Sequence, residues 1–190
     1  MSQDVVDLIM ADHREVEKLF ERMKADPTQR PMLVPVVATL LMAHSRAEEG
    51  EVYPVARDEA GIAEDVEHSQ AEHALAEQIL ERLSAADHNS PEFDEILGEL
   101  MEAVEHHVEE EEKTVLPGMR SNLPGERLAE LGEAFVTARA EHMGDQPGEA
   151  SKDELLTAAR NAGIEGASSM TAGELKKELD LRGQEEKSEL

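Results

Sequence analysis

Cysteine and tryptophan are absent from this 190-residue chain, and aromatic residues make up only 2% of it. The lack of cysteine excludes disulfide bonds, zinc fingers, iron–sulfur clusters and thiol nucleophiles. Any bound metal must therefore be held by histidine and carboxylate side chains. With so few aromatic residues, a hydrophobic core must be built from Leu, Val, Ile, Ala and Met. These residues, together with abundant glutamate, favour helices over sheets.

Basic residues are also scarce, since 18 Lys and Arg stand against 44 Asp and Glu, which gives a net charge of −26. Such a surface repels nucleic acid and anionic membranes. No apolar run is long enough to span a bilayer. The first seven residues, Met-Ser-Gln-Asp-Val-Val-Asp, lack the basic start and apolar core of a signal peptide. We therefore expect no membrane association and a cytoplasmic location.

Apolar residues recur at helical spacing through most of the chain, and no convincing run of alternating β-branched residues occurs. The pattern predicts five helices, separated by breaks that contain proline or glycine, at about residues 2–24, 31–60, 63–86, 91–117 and 125–143. Ser2 is a candidate N-cap for the first helix, and Ser90-Pro91 supplies an N-cap and a first-turn proline for the fourth.

A linker follows the fifth helix, because residues 144–150 begin Gly-Asp-Gln-Pro-Gly. Beyond it, two short helices are predicted, each introduced by a capping box: Ser151 with Glu154, and Thr171 with Glu174. An extended, glycine-containing stretch separates them. The chain is thus divided into a helical domain at 1–143, the linker, a helix–extended loop–helix module at 151–183 and a tail at 184–190.

The first pair of helices resembles the second pair, which indicates an internal duplication. Asp12-His13 recurs 60 residues later as Glu72-His73, and the His-x-x-x-Glu-Glu motif of residues 44–49 recurs 63 residues later at 107–112. A duplicated helical hairpin predicts an all-α, up-down-up-down four-helix bundle with pseudo-twofold symmetry. The fifth helix and the C-terminal module are additions to this bundle.

The repeated residues suit a pair of metal ions. Residues at i and i+4 lie about 40° apart around a helix and about 6 Å along it, so both can face one ligand. Folding the repeat about its twofold axis brings four imidazoles and two carboxylates into the bundle interior. Imidazole suits iron, zinc and copper, and a carboxylate can bridge two ions through its two oxygens. The predicted metal ligands are His13, His44, Glu48, His73, His107 and Glu111.

Register decides between the adjacent His106 and His107, which lie about 100° apart on an ideal helix. His44 stands ten residues before Pro54, and His107 stands ten residues before Pro117, so His107 is the predicted ligand. Four histidines lie outside the repeat pattern and are expected to face solvent: His68, His88, His106 and His142. For His68 and His106 the alternative is that they contact the metal ligands.

At these residues the chain resembles the hemerythrin-like, HHE cation-binding family over about residues 1–143. The family pattern is His, His-x-x-x-Glu, His, His-x-x-x-Glu, and the acidic stretches that close on Tyr53-Pro54 and Leu116-Pro117 also resemble the family. The resemblance implies a hemerythrin-like bundle that holds two iron ions with an oxo or hydroxo bridge, with manganese or zinc as alternatives. It also implies O2, NO or peroxide as small ligands.

The chain departs from the oxygen-carrying members of that family, which use five histidines, two of them four residues apart on the third helix. Here the residues four before and four after His73 are Ser69 and Glu77. An iron with fewer histidines keeps an open position or recruits another ligand. Tyr53, the sole tyrosine, is the candidate, and packing at a helix end is its alternative role. Long-lived O2 carriage is therefore disfavoured, whereas O2 or NO sensing, iron handling and peroxide breakdown stay open.

The segment from Ser151 to Arg182 resembles the Rho-N/SAP-like helix–extended loop–helix modules, which often bind nucleic acid. Residues 149–190 carry 6 Lys and Arg against 10 Asp and Glu, a net charge of −4. Phosphate binding requires a basic face. Nucleic-acid binding through 151–183 is therefore disfavoured though still open, and a protein partner or a stabilising role is at least as well supported.

The leading hypothesis is a di-iron protein that binds or senses O2 or NO, or that handles iron or peroxide, and three other functional classes are its alternatives. A catalase-like enzyme that disproportionates peroxide needs two redox metals with an exchangeable position, which this site could offer. A ferritin-like carboxylate site needs Glu-x-x-His pairs, and no glutamate stands three residues before any inward histidine. An acidic helical interaction protein without a redox role is the third alternative.

Overall fold

The computed structural model describes residues 4–188, and over that range it contains helices and no strand, which confirms the all-α prediction. None of these helices is long and apolar enough to cross a lipid bilayer. Short 3-10 turns occupy Pro27–Gln29 and Ala167–Ser169, and a π-helical turn occupies Glu48–Val52. The α-helices are α1 (Val5–Ala25), α2 (Arg30–Ala47), α3 (Tyr53–Asp58), α4 (Ala63–Ala85), α5 (Pro91–Lys113), α6 (Val115–Asn122), α7 (Gly125–Glu141), α8 (Lys152–Asn161) and α9 (Ala172–Lys187).

Helix α1 begins at Val5 rather than near the predicted Ser2, which lies outside the described residues. Its N-cap is Asp4, whose carboxylate accepts a hydrogen bond of 2.9 Å from the backbone N–H of Asp7. A carboxylate in this position satisfies one of the free N–H groups of the first turn and interacts favourably with the helix dipole. Ser90 caps α5 in the predicted manner, because its hydroxyl accepts the N–H of Phe93.

Two helices predicted as continuous are interrupted. The segment predicted at 31–60 is divided by the π turn at Glu48–Val52 and ends at Asp58, and the segment predicted to reach residue 117 divides at Thr114. Pro54 and Pro117 explain both breaks, because proline has no N–H to donate to the preceding turn. The prolines that mark the register of the repeat thus also divide both predicted helices.

The bundle consists of α1, α2, α4 and α5, each of which contacts its two neighbours in a closed ring. Two apolar clusters fill it. One contains Phe20, Leu80 and Phe93, and the other contains Tyr53 and Phe135. A layer of buried histidine and glutamate side chains separates the two clusters along the bundle axis. The packing therefore places the polar residues of the repeat at the middle of the bundle, away from either end.

Two further layers of helix cover the bundle. Helix α7 packs against α1 and α2, whereas α9 packs along α4 and α8 packs on the π turn. Both predicted capping boxes of the C-terminal module are present. The stretch between its two helices, which was predicted as extended, instead forms turns and the 3-10 turn Ala167–Ser169, because Gly163 and Gly166 adopt positive φ and turn the chain. The module thus contacts the bundle through α4 and the π turn.

Close contact between α9 and α4 depends on Gly183, which is buried against α4. A Cβ atom at Gly183 would lie 2.7 Å from the backbone nitrogen of Leu75 and 2.8 Å from Nε2 of Gln78. A neighbouring backbone atom cannot move aside as a flexible side chain can. Only glycine therefore permits the observed distance between the two helices.

We expect Gly183→Ala to lower the free energy of unfolding by about 1–3 kcal/mol, since extra volume in a packed contact forces the backbone apart. Gly173→Ala is the matched control, because it lies on the same helix and an added Cβ there meets nothing within 4 Å. Chemical denaturation of both variants, with limited proteolysis of the C-terminal segment, measures the effect. Equal stability of the two variants would contradict the close packing of α9 on α4.

Candidate metal centre

The structure brings all six predicted ligands together in the polar layer of the bundle. The four histidines come from α1, α2, α4 and α5, Glu48 lies at the start of the π turn, and Glu111 lies on α5. None is more than 6% exposed, and both glutamates are fully buried. Burial of unpaired carboxylates is costly, so these groups require a nearby positive charge.

The inward-facing atoms are arranged with the twofold symmetry that the repeat predicts. Glu48 Oε2 lies 3.1 Å from Nε2 of His44 and 3.3 Å from Nε2 of His73. Glu111 Oε2 lies 4.0 Å from Nε2 of His107 and 3.3 Å from Nε2 of His13. Each glutamate therefore faces the histidine of its own motif and the single histidine of the other repeat. The Nε2 atoms of His73 and His107 lie 3.2 Å apart.

Several of these atoms are buried and, among the described residues, have no hydrogen-bond partner. They are Nε2 of His13 and His44, both carboxylate oxygens of Glu48, and Oε2 of Glu111. They lie near one another without hydrogen-bonding geometry. Their residues, together with His73 and His107, form three overlapping groups of two histidines and one glutamate, with ligand atoms within 4.8 Å of one another. Unsatisfied buried polar atoms are rare in proteins. Their convergence fits a site for metal cations.

The outward Nδ1 atom of each candidate ligand donates to a carboxylate on a different helix. His44 contacts Asp12 at 3.3 Å and His107 contacts Glu72 at 2.9 Å, whereas His73 contacts Glu49 at 3.3 Å and His13 contacts Glu112 at 3.0 Å. An ionised carboxylate can only accept, so these bonds place the proton on Nδ1 and leave Nε2 free for metal. The sequence analysis assigned no role to these carboxylates: Asp12, Glu49, Glu72 and Glu112.

The signal that could have identified them was the repeat itself. Asp12 and Glu72 are related by the 60-residue spacing and each precedes a ligand histidine, whereas Glu49 and Glu112 are related by the 63-residue spacing and each follows a ligand glutamate. Sequence neighbours of the ligands point to the adjacent helix because successive helical residues lie about 100° apart. The duplicated motif therefore encodes the ligands together with the groups that orient them.

The electrostatics of the metal-free site favour charged side chains. Burial alone would lower the pKa of His44, but Glu48 and Asp12 outweigh it and raise this pKa to about 10. The pKa of His73 is raised to about 9 by Glu48 and Glu49, again against burial. Burial would raise the pKa of Glu49, yet Arg46 and His73 hold it at about 2. Without metal, His44 and His73 thus carry protons and supply positive charge beside the buried carboxylates.

Tyr53 lies at the centre and not merely at a helix end. Its side chain is fully buried, and its hydroxyl lies 3.1 Å from Nε2 of His73 and donates to Oε1 of Glu111 at 3.2 Å. Burial and the carboxylate charges of Glu111 and Glu48 raise the pKa of Tyr53 well above its usual value. A protonated phenol therefore holds one oxygen of Glu111.

The C-terminal module reaches the centre through Asn161, which is fully buried. Tyr53 continues the π turn by donating its N–H to the Glu48 carbonyl, but the next residue, Pro54, has no N–H for the Glu49 carbonyl. The side-chain Nδ2 of Asn161 donates to this carbonyl at 2.9 Å and to Gln70 at 3.1 Å. Nothing in the local sequence identified Asn161, because its role depends on the docking of α8.

A small cavity of about 30 Å³ adjoins the four histidines. Apart from Asp12 and Ser45, the rest of its lining is aliphatic: Val16, Leu41, Ala76, Val104 and Val108. Helix α7 covers the far side of the centre, where the ring of Phe135 packs edge-on against His44 with centroids 5.8 Å apart. The site thus has an apolar space directly beside its inward-facing nitrogen atoms.

Comparison with known proteins agrees with this geometry. Residues 4–118 match the hemerythrin HHE cation binding domain. The chain is 29% identical over 139 residues to a DNA nickase of Nostoc sp. (strain PCC 7120), covering 72% of this chain and 39% of that protein. It is 27% identical over 135 residues to an uncharacterized hemerythrin-like protein of Schizosaccharomyces pombe, covering 69% and 66%. The chain thus spans less than two thirds of either relative, and no solved structure matches it.

We expect metal loading near neutral pH to release protons. In the metal-free protein the pKa values of about 10 for His44 and about 9 for His73 keep both imidazoles protonated, and a metal binds only the neutral ring. Apparent affinity should therefore rise with pH until these values are passed. Calorimetric titration with Fe(II) in buffers of different ionisation enthalpy measures the protons. His88→Gln is the control and should release as many, whereas a proton-independent titration would contradict the raised pKa values.

Proposed function

Because this chain belongs to the hemerythrin HHE cation-binding family, we propose that it is a non-haem di-iron protein that binds or senses O2 or NO, or that handles iron and peroxide. The observation that carries the proposal is the convergence of four buried imidazoles and two buried glutamates. Among the described residues, five of their inward atoms have no hydrogen-bond partner: Nε2 of His13 and His44, both oxygens of Glu48, and Oε2 of Glu111. Metal binding in general, without the identity of the metal, follows from the family and from the groups of histidine and glutamate in the bundle centre.

Imidazole nitrogen and carboxylate oxygen suit iron better than ions that prefer sulfur ligands or oxygen ligands alone. Imidazole and carboxylate together suit Fe, Zn and Mn, and the absence of thiolate disfavours ions that prefer sulfur. Two irons would supply reversible electron transfer to oxygen-containing ligands. Each outer carboxylate makes its imidazole more basic through the Nδ1 hydrogen bond, which stabilises a more highly charged metal. The residues of this chain thus fix both the position and the electron density of the ligands.

The cavity supports a small ligand. A water-sized molecule needs about 10–15 Å³, so that the space of about 30 Å³ admits O2, NO or hydrogen peroxide and little more. Its aliphatic wall favours an apolar diatomic molecule over ions. Because peroxide also fits, catalase-like breakdown of peroxide is retained as the enzymatic alternative to binding or sensing.

DNA cleavage, which the name of the Nostoc relative states, is not proposed for this chain. The chain covers 39% of that protein. Its net charge of −26 opposes the approach of a phosphate backbone, since nucleic-acid affinity depends on basic side chains that replace counterions.

Iron reconstitution tests the proposal directly. We expect about two irons per chain and a near-ultraviolet absorption of the ferric protein. His44→Ala and His107→Ala should each lose most of the iron and most of this absorption, because each removes an inward nitrogen. His88→Ala is the matched control, since His88 lies outside the polar layer and should leave the iron content unchanged. Absence of iron from wild type, or variants with wild-type iron content, would refute the assignment.

Tyr53→Phe distinguishes a hydrogen-bond donor from a metal ligand. If the phenol only holds Glu111, ferric wild type lacks a visible phenolate-to-iron absorption, and the variant keeps its iron while a chelator removes that iron several-fold faster. Optical spectra and chelator kinetics measure both. A visible absorption in wild type that the variant loses would instead establish Tyr53 as a ligand.

A further inference from the structure

Three of the four outer carboxylates are paired with an arginine, and Glu72 is not. Arg139 donates to Asp12, Arg14 donates to Glu112, and Arg46 donates to Glu49 at 2.8 Å. Within residues 4–188, no arginine or lysine is bonded to Glu72. A buried carboxylate without a cationic partner is costly. Glu72 is only 3% exposed, so its carboxylate requires some other positively charged partner.

The two oxygens of Glu72 have different surroundings. Oε2 accepts from Nδ1 of His107, as described above, and Oε1 is buried without a hydrogen-bond partner among the described residues. Oε1 faces two imidazoles instead, because Nε2 of His68 lies 3.5 Å away and Nε2 of His106 lies 3.4 Å away. In the pseudo-symmetric Asp12, the equivalent second oxygen accepts from Arg139. Two histidines thus occupy the place that a guanidinium occupies in the other repeat.

The separations match a metal site. Ligand atoms about 2.1 Å from a tetrahedral ion lie about 3.4 Å from one another, which agrees with both distances to Oε1. All three ligand atoms lie within 4.8 Å of one another. His68 and His106 are each 36% exposed on the side-chain level, so an ion can arrive from solvent and retain a water ligand.

One histidine is also oriented as a metal ligand. Nδ1 of His68 lies 3.2 Å from the carboxylate of Glu186, which directs Nε2 towards Glu72. A carboxylate on Nδ1 orients each histidine of the bundle centre in the same way. Glu186 belongs to α9, so the C-terminal module contributes to this site.

We propose that His68, Glu72 and His106 form a second metal site, which binds one divalent transition-metal ion such as Zn²⁺. The ion supplies the positive charge that arginine supplies to the other outer carboxylates. It bonds to Oε1 of Glu72 while Oε2 continues to hold His107, so the two centres share one carboxylate. The negative surface of the chain raises the local concentration of such cations.

Another cluster, His142 with Asp145 and Glu154, provides a control instead of a rival site. All three of its residues are half-buried, and Nδ1 of His142 already contacts Asp145 at 2.7 Å. Among residues 4–188, no unpartnered buried atom belongs to this cluster. The variant His142→Gln therefore removes one further surface histidine without touching the proposed ligands.

Zinc binding to the full-length, iron-loaded protein tests the proposal. After equilibrium dialysis against Zn²⁺, elemental analysis of wild type and of His142→Gln should give about one zinc per chain. The double variant His68→Gln/His106→Gln should lose that equivalent while keeping its iron. Anomalous scattering at the zinc edge should place the ion between the three ligands in crystals of the wild type.

Equal zinc content in wild type and the double variant, or a zinc ion at His142 and none at Glu72, would overturn the proposal. No zinc in wild type would overturn it as well. The difference between wild type and the double variant does not depend on iron in the bundle centre. Failure of the di-iron proposal would appear separately, in the iron content.

Discussion

The hydrogen bonds from the four histidine Nδ1 atoms to carboxylates on neighbouring helices are the interactions on which the rest of the structure depends. Three of these bonds join two helices of the bundle, and the fourth joins α4 to the π turn. Each fixes the proton on the outer nitrogen and directs the inner nitrogen to the centre. The same bonds build the electrostatic field that keeps His44 and His73 charged without metal. Structure and metal chemistry are therefore determined by one set of contacts.

This polar layer lies between two apolar clusters, and that position has consequences for both. The clusters exclude water and lower the local dielectric, which strengthens every interaction between imidazole and carboxylate. They also supply the aliphatic wall of the cavity beside the histidines. A small ligand would thus meet an apolar space on one side and oriented nitrogen atoms on the other.

The additions outside the repeat give its two halves different surroundings. Helix α7 places Arg139 on Asp12, whereas the C-terminal module places Asn161 on the Glu49 carbonyl and Glu186 on His68. The carbonyl needs Asn161 because Pro54 has no N–H. The module therefore contacts the candidate site through a backbone group and, by way of α9, through the cluster around Glu72. These contacts give the segment a role in the site that its acidic composition alone does not reveal.

The sequence by itself determined the helical class, the register of the duplicated motif and the six candidate ligands, because helical periodicity and a repeated His-x-x-x-Glu pattern are local properties of the chain. Only the tertiary structure decided that the Tyr53 hydroxyl reaches Glu111 and that Asn161 donates to the Glu49 carbonyl of the π turn. Each of these depends on distances between residues far apart in sequence, which periodicity cannot supply. The four outer carboxylates are predictable in part. The sequence repeat identifies the residues, but only the packing of neighbouring helices shows which histidine each carboxylate contacts.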